Sequence, residues 1–176
     1  MPAVPPPVTS GRLARGAPLH ASLVPTAEIF ACCERLFARA LEGVEGARRC
    51  ERPGGGNSLP WMAGHVTGAR RRLARFLGAP VEYPWAELFA RGNSPYGCPD
   101  WPTIEPIVAR WNEVSAVLRA RFETLTEEEL DCPAGDAPSL NGRVSGAVTL
   151  LAFHDGDRVG QMGCVRRLLG LGRLVG

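Results

Sequence analysis

The chain has 176 residues, 45% hydrophobic and 22% charged, a size and balance suited to one domain folded around one core. Its 20 basic and 18 acidic residues leave a formal charge of +2, too weak a field to hold nucleic acid or an anionic membrane surface. All the basic residues are arginine; exposed helical positions accept lysine equally well, so the bias carries no functional weight.

No apolar stretch approaches the roughly 18 residues of a membrane span, and the N-terminus lacks the basic segment and apolar core of an export signal. No membrane association is expected. The cysteines Cys32, Cys33, Cys50, Cys98, Cys132 and Cys164 lack CxxC spacing and do not resemble the disulfide framework of a small secreted domain. They read as reduced thiols of a cytoplasmic protein, with Cys32 and Cys33 packed as small hydrophobes.

Residues 1–20 hold a triple proline, two glycines and three arginines or histidines without periodicity, and are expected to form a flexible tail ahead of a domain over residues 21–176. From Thr26, a candidate N-cap, Ile29, Phe30, Cys33, Leu36, Phe37, Ala40, Leu41 and Val44 follow the three-and-four spacing of an amphipathic helix. Arg52-Pro-Gly-Gly-Gly-Asn-Ser58 breaks the chain. Asn57 or Ser58 then caps a second helix over Leu59–Leu77, with Pro60 in its first turn and Leu59, Met62, Val66, Ala69, Leu73 and Phe76 as its stripe. Arg70, Arg71, Arg72 and Arg75 read as its solvated side.

Gly78 to Pro102 is rich in proline and glycine and reads as a long crossover with a short helix near Trp85–Arg91, the kind of connection that often carries function. A third helix is expected over Thr103–Leu125, with Ile104, Ile107, Val108, Trp111, Val114, Leu118 and Phe122 in register. A fourth runs from Gly142 to Leu169 on a stripe of Val144, Ala147, Val148, Leu151, Met162, Val165 and Leu169. Four such helices with one long connection predict an all-α four-helix bundle.

Three residues break the last stripe. Advancing about 100° per residue, His154, Arg158 and Gln161 share the arc of Leu151, Ala147 and Val165, and burying an unpaired polar group costs roughly 1–3 kcal/mol. A chain building only a bundle places leucine there. His65 lies at the edge of the second helix's apolar arc, one turn after Trp61, so two imidazoles on two helices form a possible metal pair. The competing reading is that each histidine is a satisfied core or boundary residue. His20 has no periodic context and is left without a role.

The segments Asn57-Ser-Leu-Pro-Trp61-Met-Ala-Gly-His65 and Leu150-Leu-Ala-Phe-His154-Asp-Gly-Asp-Arg158-Val-Gly-Gln161 resemble the DinB-like superfamily. With Trp101-Pro-Thr and Glu127-Glu-Glu-Leu130, the resemblance covers about Thr26 to Gly172. It implies a four-helix bundle with a long crossover and a zinc or nickel ion held by three histidines, among relatives that include thiol-dependent S-transferases and metal hydrolases. It also implies a homodimer. By position, His65 and His154 match the first two ligands, Trp61 and Gln161 belong to the surrounding pocket, and the third ligand position is Arg158.

A guanidinium stays protonated and has no lone pair to donate. At about 4 Å and an effective dielectric near 20, it repels a divalent ion by about 8 kcal/mol. Three readings follow. The first is a bundle with a degenerate metal site whose pocket, with Arg158, binds a small anionic molecule. The second is a metal-dependent thiol S-transferase or hydrolase in which Asp155 or Asp157 joins His65 and His154. The third is a structural protein in which Trp61 or Trp111 fills the space between the histidines. Neither substrate nor thiol cofactor is legible, and whether the protein is an enzyme is left open.

Overall fold

The computed structural model describes residues 19–90, 92–93 and 101–175. Among them are four long helices, α1 (Val24–Leu41), α2 (Leu59–Phe76), α3 (Ile104–Phe122) and α5 (Val144–Leu168), and a one-turn helix, α4 (Glu127–Asp131). None is long and apolar enough to cross a membrane. The tail expected over residues 1–20 lies outside the described residues except for Leu19 and His20. Both are half-buried: Leu19 packs against the core and the His20 ring accepts a hydrogen bond from the Ser22 amide.

Local chemistry sets each boundary. α1 starts two residues before the expected cap because Pro25 is tolerated in a first turn, which leaves Thr26 buried inside the helix. Ser58 caps α2 by accepting from the Trp61 amide. α2 ends at Gly78, whose φ of 81° is a left-handed conformation that favours glycine. The Gly78 amide reaches the Arg75 carbonyl and the Ala79 amide the Ala74 carbonyl, which closes a Schellman motif. α3 stops at Phe122, short of Leu125, and the Thr126–Glu129 capping box opens α4, which the sequence reading did not anticipate.

α2 is central, packing on both α3 and α5, while α1 packs on α5 and α3. The crossover wraps the outside of α2: the Tyr83 hydroxyl donates to the Gly64 carbonyl at 2.6 Å, and Phe89 lies over Gly64, where a Cβ would sit 2.4 Å from its ring. That covering explains why every α2 residue from Leu59 to Arg70 is buried. The short helix expected near Trp85–Arg91 is instead a series of turns over residues 84–89; Arg91 and Tyr96 lie outside the described residues.

Two apolar clusters make the core, one around Phe37, Met62, Val66, Trp111 and Met162, the other around Phe30, Leu73, Val114, Phe122 and Val148. The innermost line of α5 is Val148, Ala152, Asp155, Val159 and Met162. The arc expected to face inward on α5 is therefore displaced, with His154, Arg158 and Gln161 only half-buried, and Phe76 of the expected α2 stripe is exposed. Two expectations about cysteine also change. Cys50 is disulfide-bonded, because pairing depends on which segments the fold brings within about 6 Å and not on spacing along the chain. Cys33 is a buried thiol pushed up to about 11 by burial and by the Asp155 charge, whereas Cys32 is exposed.

Candidate functional site

α2 and α5 bring the two histidines together, with ring centroids 5.6 Å apart and planes tilted by 55°. Trp61, one turn before His65, stacks on it at 4.9 Å. His65 is 5% exposed, and its Nδ1 donates to the Phe89 carbonyl at 2.9 Å, a bond made possible by the close approach of the crossover at Gly64. The carbonyl only accepts, so the hydrogen is on Nδ1 and the Nε2 lone pair is left over. Burial holds the His65 pKa below the ordinary range against the Phe89 bond, with repulsion from His154 and Arg158 adding to the effect.

His154 is half-buried at the edge of the core. One turn later Arg158 Nη1 donates to Gln161 Oε1 at 2.9 Å, and Gln161 Nε2 donates to both Asp157 oxygens at 3.0–3.1 Å. Arg158 Nε is buried without a hydrogen-bond partner; its nearest carboxylate oxygen, on Asp157, is 3.7 Å away, too far for a bond. His154, Asp157 and Arg158 line a cavity of about 480 Å³ between α2 and α5, whose other walls include Leu73, Phe76, Pro138, Leu151 and Phe153. Phe153 is 71% exposed at its edge. Gln161 and Asp157 border a second cavity with Asn57 and Met62.

The sequence reading missed a fully buried arginine in the bundle. Arg70, expected on a solvated side, is 0% exposed and sits at the junction of the two core clusters, its guanidinium 3.8 Å from the Trp111 ring centroid and 5.0 Å from that of Phe30. It donates to Asp155 Oδ2 at 2.6 Å, Glu34 Oε1 at 2.9 Å, the Ser115 hydroxyl at 2.5 Å and the Phe30 carbonyl at 3.2 Å. Arg119 binds the other oxygen of Glu34. A signal was present: Arg70 lies four residues after Val66 and three before Leu73, on their side of the helix.

These positions decide what the residues suit. Asp155, an expected third ligand, is committed to Arg70, and Asp157 is held by Gln161. Arg158 stands where the resemblance places an imidazole, and no three His, Cys, Asp or Glu side chains among the described residues converge as a metal-binding group. The donor set does not fit a divalent ion. Neither tryptophan plugs the space between the histidines: Trp61 stacks outside His65, and Trp111 lies against Phe37 and Arg70.

The architecture is that of an all-helical bundle, with the paired histidines brought together by its second and last long helices. The chain belongs to the DinB superfamily, whose family model matches residues 30–162. A search of the curated proteins finds no match.

Proposed function

We propose that this protein binds a small anionic molecule in the α2–α5 cavity and does so without the metal that the family resemblance implies. The observation that carries the reading is Arg158: it lies at the third ligand position, lines the cavity, and keeps a buried Nε without a partner. A buried guanidinium donor is stabilised by a carboxylate or phosphate, which accepts its fork of hydrogen bonds. Asp157 offsets part of this charge, but Gln161 binds both of its oxygens, which leaves Arg158 Nε for a ligand. The apolar walls suit a ligand with a hydrophobic remainder.

Titration calorimetry with hexanoate and with 1-hexanol tests the reading. The acid is expected to bind at least tenfold tighter, and Arg158→Gln to abolish the difference; equal binding of acid and alcohol by the parent sinks it. The second reading, a metal-dependent transferase or hydrolase, draws support from the His65 Nδ1 bond to a backbone carbonyl, an orientation common in metal-ligating histidines. Metal content of untagged protein separates the two: about one zinc or nickel per chain removes the metal-free reading.

A further inference from the structure

The site offers more than a cation for an anion, because its two imidazoles are neighbours, 5.6 Å between ring centroids, and each keeps an open valence. His65 spends its only N–H on Phe89, which leaves the Nε2 lone pair without that partner, on a ring whose centroid is 5.6 Å from that of His154. For His154 the fixing group is Asp155. One Asp155 oxygen is saturated by Arg70; the other, Oδ1, has no hydrogen-bond partner and lies 3.8 Å from His154 Nδ1, itself buried and unpartnered. That distance is beyond a hydrogen bond, but a carboxylate oxygen only accepts, so its field favours the tautomer with hydrogen on Nδ1. With hydrogen on Nδ1 alone, Nε2 of either ring is an acceptor.

Two acceptors on neighbouring rings make no hydrogen bond to one another and call for a donor from a third group. A divalent ion does not fit, for the reasons given above, and a second cation meets the same repulsion from Arg158. A hydroxyl does not. It donates its hydrogen to one Nε2, while an anionic group on the same molecule accepts from Arg158 one helical turn away.

Resting on the anion-binding reading, we infer that the ligand is a hydroxycarboxylate, with its hydroxyl against the His65–His154 pair, its carboxylate on Arg158 and an apolar remainder along Leu73, Phe76, Leu151 and Phe153. Asp155 is a positioning residue in this arrangement. It sets the tautomer of His154 while Arg70 holds it in place.

Calorimetry on the full chain with 2-hydroxyhexanoate, hexanoate, 2-aminohexanoate and 1,2-hexanediol tests the assignment. The hydroxy acid is expected to bind at least tenfold tighter than hexanoate, with the amino acid and the diol weaker than the hydroxy acid. His65→Phe should bring the hydroxy acid down to the affinity of hexanoate and leave hexanoate unchanged. Equal binding of the two acids by the parent overturns the hydroxyl assignment and leaves the anion reading standing, whereas a diol that binds as tightly as both acids overturns the anion reading itself. Tighter binding of the amino acid also overturns the assignment. Nitrogen-15 spectra of histidine-labelled parent protein give a readout independent of any variant's folding: Nδ1–H tautomers are expected for His65 and His154, and an Nε2–H tautomer at either overturns the proposal.

Discussion

Asp155 and His154 are neighbours on α5, yet they belong to polar clusters of opposite character. Asp155 enters a group in which Arg70 and Arg119 balance Glu34 and Asp155, and Nε, Nη1 and Nη2 of Arg70 each donate to an oxygen, with only Asp155 Oδ1 left without a hydrogen bond. His154, about 100° around the helix, opens on a cavity beside Arg158, where donors stay unpaired. A buried arginine whose donors all find acceptors can hold helices in register without any ligand, whereas one left with an unpaired donor costs stability until something binds to it. The difference between the clusters separates framework from site.

Breaking the closed cluster should have the largest effect. Arg70→Ala leaves Asp155 buried without its cation, and the expected loss is about 3–5 kcal/mol in urea unfolding. Arg158→Ala, in the open cluster, should cost less than about 1 kcal/mol. If the two losses are equal, the distinction between the clusters fails.

The next effect converts the open cluster into the set that the family resemblance implies. Arg158→His removes the repelling charge and adds an imidazole four residues after His154, on its side of the helix. Zinc affinity should rise by at least about 100-fold, a small part of the ~8 kcal/mol of repulsion relieved. Calorimetry with zinc on both proteins checks it; tight binding already present in the parent shows that a carboxylate supplies the third ligand after all.

The elements were more legible in the sequence than the geometry of the polar groups. The three-and-four spacing of apolar residues located the four long helices to within a few residues, because the core each buries is wide and redundant. On α5 the same reasoning placed His154, Arg158 and Gln161 inward, whereas the innermost polar residue is Asp155. With small residues such as Gly156, Gly160 and Gly163 on several sides, α5 has no sharp apolar stripe to fix its rotation. For Arg70 the periodicity did place the side chain with Val66 and Leu73, and what it left out was the set of partners that makes burial of the charge tolerable. Its burial depends on Glu34 and Asp155, 36 and 85 residues away in the chain, and periodicity within one helix carries no information about partners on two others.

A smaller effect tests how the crossover shapes the open cluster. Gly64→Ala places a Cβ 2.4 Å from the Phe89 ring, so ring and backbone must move away from α2. The expected cost is about 1–3 kcal/mol, read as a fall of several degrees in melting temperature. The His65–Phe89 bond should be lost with it, and hydroxy-acid binding should weaken more than hexanoate binding. An unchanged melting temperature shows that Phe89 yields freely and does not hold His65.

The smallest effect is the pH dependence that His65 confers on stability. Its pKa is lowered from 6.5, first by burial and then by the repulsion of His154 and Arg158, so the folded state refuses a proton that the unfolded chain accepts. Above about pH 6.5 the ring is neutral in both states and its contribution to stability is fully present. As pH falls below that value the unfolded state gains protons first, and stability declines until the pH passes the lowered folded value. Comparing urea unfolding of the parent and His65→Phe at pH 7.5 and 5.5 isolates this group from carboxylates that titrate in both proteins. The parent should lose more stability over the interval, and a carboxylate ligand, which draws Arg158's charge onto itself, should lessen the loss. Equal losses without ligand mean that His65 is more open to water than its 5% exposure indicates, and the boundary between closed framework and open site would then pass on the other side of α2.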